Sequence, residues 1–129
     1  MTIALREFNP NMKPLSDEGR KLLIRARARL SDPVRWTQYC IARNSKNEEV
    51  SAEDVEATCW CAFGALIAED PTNDSLNDRV SEFLEDVART QKLTTYIGDI
   101  NDAPETTHED ILLWLDTALE YDAKLKEGL

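Results

Sequence analysis

Three cysteines and a single histidine are the residues of this sequence best suited to chemistry. Cys59-Trp60-Cys61, Cys40 and His108 supply the ligand types of a Cys₃His zinc site, and a thiol with an imidazole is also the minimum for nucleophilic catalysis. Spacing argues against zinc. On one continuous helix Cys59 and Cys61 project about 200° apart and cannot reach the same tetrahedral ion, and no C-x₂₋₄-C pair is present. The expectation is no metal site, with the thiols as buried core residues.

Cysteine catalysis remains as an alternative, a hydrolase or transferase using Cys61 as nucleophile and His108 as base, with Asn101 or Asp102 orienting the ring. The run Cys-Trp-Cys-Ala-Phe is superficially similar to the Cys-Trp-Ala-Phe segment of papain-like proteases, but Cys61 interrupts it. Those nucleophiles sit at a helix N-terminus, where the dipole favours thiolate, whereas a helix capped by Ser51 would hold both cysteines well inside it. A break at Thr58 would restore a helix start near Cys61.

A third set of residues could bind rather than react. Trp36 and Gln38 could line a pocket with Asn101-Asp102, a small-molecule-binding alternative, although an Asn-Asp pair before Ala103-Pro104 also has ordinary turn chemistry. His108 projects with the Leu112–Leu115 face, so its ring points toward the core. No Walker, dinucleotide-binding, zincin, serine-hydrolase elbow or EF-hand signature is present, and no cofactor is implied.

The elements that must position these residues read as helices. Residues 1–14 carry Pro10 and Pro14 without periodicity and read as an extended arm, leaving 15–129 as one helical domain. Ser16 caps a first helix running to Leu30, with Leu15, Leu22, Leu23, Ala26 and Leu30 on one face. Val34 to Ala42 reads as a short second helix after Asp32-Pro33, and Asn44 to Glu49 as a polar loop. A third helix opens at Ser51 with Asp54 and runs to Pro71 through Ala-Thr-Cys-Trp-Cys-Ala-Phe-Gly-Ala-Leu-Ile-Ala, apolar all round as at a bundle centre. Gly64 inside it implies close approach of a neighbouring helix. Ser75 caps a fourth, with Leu76, Val80, Phe83, Leu84 and Val87 in helical register. Residues 92–105 read as a loop with one short extended piece near 94–97, and Thr106 with Glu109 boxes the start of the last helix. The expected fold is all-α, a compact bundle of four main helices plus a short one.

At 129 residues, 42% hydrophobic and 31% charged, the chain fits one soluble domain, and no apolar stretch of about 18 residues or signal peptide is expected. These features point to the cytoplasm and away from membranes. The net charge of −10 is uneven: residues 1–50 carry ten Lys/Arg and six Asp/Glu, net +4, and residues 51–129 carry five and nineteen, net −14. Nucleic acid is therefore an improbable partner. One account sets the basic first helix against acidic later helices; the other makes the acid a recognition surface, with Asp78, Glu82 and Glu85 as one stripe.

Trp36-Thr37-Gln38, the segment Cys61 to Leu66, Asn101-Asp102 and Thr107 to Leu112 together resemble a family of small, functionally uncharacterised bacterial and phage proteins. The resemblance spans about residues 20–120, carries no activity and hence no catalytic residues. The resulting expectation is an interaction or regulatory module with another protein as its partner, self-association being left open.

Overall fold

The computed structural model describes residues 9–90 and 96–128. Residues 1–8 of the expected arm, and positions 94 and 95 of the expected extended piece, lie outside that set. Among the described residues there are five α-helices and a three-stranded sheet, so the all-α expectation is corrected to a mixed α/β fold.

Helix α1 (Asp17–Arg29) begins as its sequence requires, the Ser16 hydroxyl accepting the Gly19 N–H at 3.0 Å. Its buried face carries Leu22, Leu23 and Ala26. After it the expected second helix fails. Only a 3₁₀ turn forms at Pro33–Arg35, and Tyr39 adopts a φ of 72°, which no helix accommodates. The chain then enters β1 (Ala42–Asn44), turns, and returns as β2 (Glu49–Val50). Asn44 organises that turn by accepting the N–H groups of Lys46 at 2.9 Å and Glu48 at 3.0 Å, while Asn47 takes the left-handed region with a φ of 63°.

Strand β3 (Ala57–Trp60) occupies sequence expected to be helical. Asp54 explains the difference: its carboxylate accepts the Glu56 N–H at 2.8 Å, a local bond that competes with a helical ladder. Ala57, Cys59 and Trp60 then pair antiparallel with β1, Ala42 opposite Trp60, Arg43 opposite Cys59 and Asn44 opposite Ala57, in a sheet ordered β2-β1-β3. The strands are too short to display a period of two.

Helix α2 (Ala62–Glu69) is therefore a short helix starting at Cys61. Gly64 does meet a close neighbour, but it is the residue just before β1 rather than a helix. A Cβ there would lie 2.2 Å from the Ile41 carbonyl oxygen. Helix α3 (Asp74–Thr90) is capped by Asn73, whose side chain accepts the Leu76 N–H at 3.1 Å, in place of Ser75. The expected loop holds α4 (Ile97–Asp102), whose first N–H is accepted by Glu85 at 2.9 Å, so Ile97 is helical rather than extended. Helix α5 (His108–Glu127) starts one residue later than expected, with Thr107 and Asp110 forming its capping box.

The core lies where α1, α3 and α5 pack together, with Trp114, Tyr121, Phe83 and Leu84 fully buried. Buried Asp122 ties both ends of this core, accepting the Leu15 N–H at 2.7 Å and contacting Arg20 at 3.0 Å and Lys126 at 2.8 Å. Arginines of α1 also reach acidic residues elsewhere, Arg27 on Asp116 and Arg29 on Glu69. Part of the charge asymmetry is thus internal pairing.

Candidate functional site

Asn101 is the centre of the first site. It is fully buried, and its side chain uses every direction it has: Oδ1 accepts from the Trp36 indole at 2.8 Å and the Ala62 amide at 3.0 Å, while Nδ2 donates to the Thr37 carbonyl at 3.0 Å and Asp102 at 2.9 Å. The Gln38 amide donates to the carbonyls of Asn101 at 3.0 Å and Ala103 at 3.2 Å, and Asp102 accepts the Tyr39 N–H at 2.8 Å. Trp36, Gln38, Asn101 and Asp102 are thereby brought together. Their polar groups face one another: α4 is bolted through Asn101 to the start of α2 and to the segment after the 3₁₀ turn.

Beside this knot lies a cleft of about 220 Å³ lined by Tyr39, Cys40, Ile41, Cys61, Phe63, Ile97, Gly98, Asn101 and Asp102. Trp36 and Gln38 support it without lining it. Cys61 is the N-cap of α2, its sulfur accepting the Gly64 N–H at 3.2 Å, so the position well inside a helix is corrected to a helix start. Chemistry at this thiol is nevertheless unfavourable at neutral pH. Burial pushes its pKa up to about 11, and the amides of Gly64 and Phe63 that face it only partly offset this. Burial likewise raises the Cys40 thiol. His108 does not line the cleft. Its Nε2 lies 2.6 Å from the Leu30 carbonyl, and because a carbonyl only accepts, that nitrogen carries the proton. Among the described residues no group of three or more His, Cys, Asp and Glu is placed to hold a metal ion.

The acidic stripe is not uniform in its surroundings. Asp78 and Glu82 are exposed, but the Glu85 carboxylate is bonded to Ile97. Asp78 instead joins a different set of residues. A groove of about 570 Å³ runs between the β2 end and helices α2 and α3, with half-buried Val50, Phe63 and Ile67 and the more exposed Ile41 along it. Glu53, Asp74 and Asp78 stand along the same groove, and none of its described lining residues is basic. Asn77 is also among the lining residues. It is only 2% exposed; its Nδ2 donates to the Asp70 carbonyl at 3.0 Å, while Oδ1 has no hydrogen-bond partner among the described residues.

Sequence reasoning missed this groove because it read α2 as a bundle centre. The signal was present: a helix apolar on every side is fully covered only if neighbours surround it, and α2 leaves Phe63 and Ile67 half open.

Fold and sites define a small mixed α/β protein in which the Asn101 side chain is fully hydrogen-bonded and the groove between the β2 end, α2 and α3 lies apart from it. By comparison of sequences, the chain belongs to DUF6197, a family of unknown function, which matches residues 16–121. No curated protein and no solved structure gave a match. Among the described residues no helix is long and apolar enough to cross a membrane.

Proposed function

We propose that this protein is an interaction module that binds a segment of another protein, and that the groove between the β2 end, α2 and α3 is the binding surface. The observation that carries the reading is the combination in one groove of Ile41, Phe63 and Ile67 with the carboxylates of Glu53, Asp74 and Asp78. Apolar surface left open beside charges of one sign suits a partner segment that interleaves apolar side chains with Lys or Arg.

Selection from a random library of peptides tests this directly. The wild-type protein should enrich peptides pairing Lys or Arg with Leu, Ile or Phe, and their binding should weaken as salt rises. Protein carrying Asp74→Lys with Asp78→Lys should bind the enriched peptides at least about tenfold more weakly with an unchanged fold, because both carboxylates lie at exposed positions. Enrichment of acidic peptides, or equal binding by the charge-reversed protein, would reject the groove as the interaction surface.

A further inference from the structure

On the opposite chemical principle, the cleft between α1, the 3₁₀ turn and β3 collects positive charge in a chain that is otherwise acidic. It measures about 700 Å³ and is lined by Arg25, Arg29 and Arg35, with one carboxylate, Glu69, and an apolar wall of Ala28, Val34 and Ala57. We propose that this cleft binds a phosphate monoester, the phosphate held by the three guanidinium groups and the organic part lying on the apolar wall.

Charge sets the ligand class. Three guanidinium groups against one carboxylate leave two positive charges, which matches the roughly −1.5 to −2 of a phosphate monoester at neutral pH. Geometry then makes the donors available. Glu69 is reached by Nε of Arg29 at 2.6 Å and Nε of Arg25 at 3.5 Å, and the terminal Nη groups of both have no acceptor among the described residues. Arg29 is further fixed by stacking, its guanidinium carbon 4.4 Å from the centre of the Trp60 ring. Glu69 and Trp60 thus orient two guanidinium groups while leaving their outer edges for an anion. Arg35 is exposed, and its side chain has no hydrogen bond or ion pair among the described residues.

The apolar wall decides against a bare inorganic ion. Val34 is 76% exposed, lines this cleft and lies beside Arg35 in sequence. A ligand carrying both phosphate and an apolar body covers it. The acidic groove plays no part in this site, because the two share no lining residue.

Titration of isotope-labelled protein followed by NMR, reading the Arg Nε–H and Trp60 indole signals, tests the assignment. The probes are phenyl phosphate, inorganic phosphate, phenol and benzene-1,3-dicarboxylate. Phenyl phosphate should give saturable shifts at Arg25, Arg29 and Arg35, bind at least about tenfold tighter than inorganic phosphate, and far outcompete phenol. Arg35→Gln should weaken it about fivefold or more without altering the fold, whereas Arg27→Gln, whose wild-type side chain pairs with Asp116, should bind as wild type. The proposal is overturned by absence of saturable shifts, by an Arg35→Gln protein that binds equally well, or by a dicarboxylate that binds as tightly as the phosphate ester.

Discussion

Two buried asparagines divide this molecule. Asn101 engages both lone pairs of its oxygen and both amide hydrogens with partners from three segments, whereas Asn77 uses its amide on Asp70 and leaves its oxygen without a described partner. Helix α2 lies between them, resting one side on the Asn101 knot and turning Phe63 and Ile67 toward the groove that Asn77 lines. The difference teaches how to separate scaffold from surface in a protein without catalytic signatures. A polar group with every hydrogen bond satisfied holds the fold, and a buried one left partly unsatisfied contributes less to it.

The most severe way to break this contrast is Asn101→Ala. It strips partners from the Trp36 indole, the Ala62 amide and the Thr37 carbonyl at once, so the domain should lose about 3 kcal/mol or more, read as a large drop in Tm. A small effect would mean that water replaces the side chain without cost. Next comes Gly64→Leu, which forces a side chain into the Ile41 carbonyl and should cost roughly 1 to 3 kcal/mol or more; an unchanged Tm would refute the close contact between α2 and Ile41.

A smaller effect is expected at Cys61. Its raised pKa means that the folded protein keeps the neutral thiol where the unfolded chain, with an ordinary value of 9.0, begins to ionise. The resulting contribution to stability is complete below about pH 9 and is lost as the pH climbs toward 11, so denaturation midpoints should fall over that interval in wild type and less in Cys61→Ser. Labelling with a thiol reagent at pH 7 should accordingly be slow at Cys61 until denaturant is added. Rapid native labelling that disappears in a folded His108→Ala protein would revive a catalytic reading. The smallest change belongs to Asn77→Leu, expected to shift stability by less than about 1 kcal/mol, since it removes one hydrogen bond together with the unsatisfied acceptor. Loss of several kcal/mol there would erase the distinction between the two asparagines.

Much of the scaffold was legible in the sequence, for reasons that can be named. The amphipathic registers of α1 and α3 persist over several turns, and a Thr-initiated box marks α5 to within one residue. Strands of two to four residues leave no such trace, and Ser51 with Asp54 looks like a capping box although Asp54 folds back on Glu56 instead. Within the site, Trp36, Gln38, Asn101 and Asp102 stood out as an indole, two amides and a carboxylate near a turn, and the structure brings them together through hydrogen bonds to one another and to backbone. What their types could not convey was whether those polar groups face a ligand or each other. The groove and the arginine cleft were harder still, because each draws its lining from segments distant in sequence that a misread strand had displaced.

The Asp122 carboxylate has a consequence for how the chain is made. It joins Leu15 to a residue 107 positions later, and Arg20 reaches the Leu119 carbonyl across 99. During synthesis from the N-terminus, α1 is complete long before the helix that receives its leucines and its arginine exists. Helices α2 and α3 can cover part of α1 first, but the side that packs on α5 stays open, or is sheltered by other cellular machinery, until α5 leaves the ribosome. Closure of this core is therefore a late event set by translation, and a nascent chain stalled ahead of Asp122 should remain open to protease at α1, while one released past Lys126 should resist it.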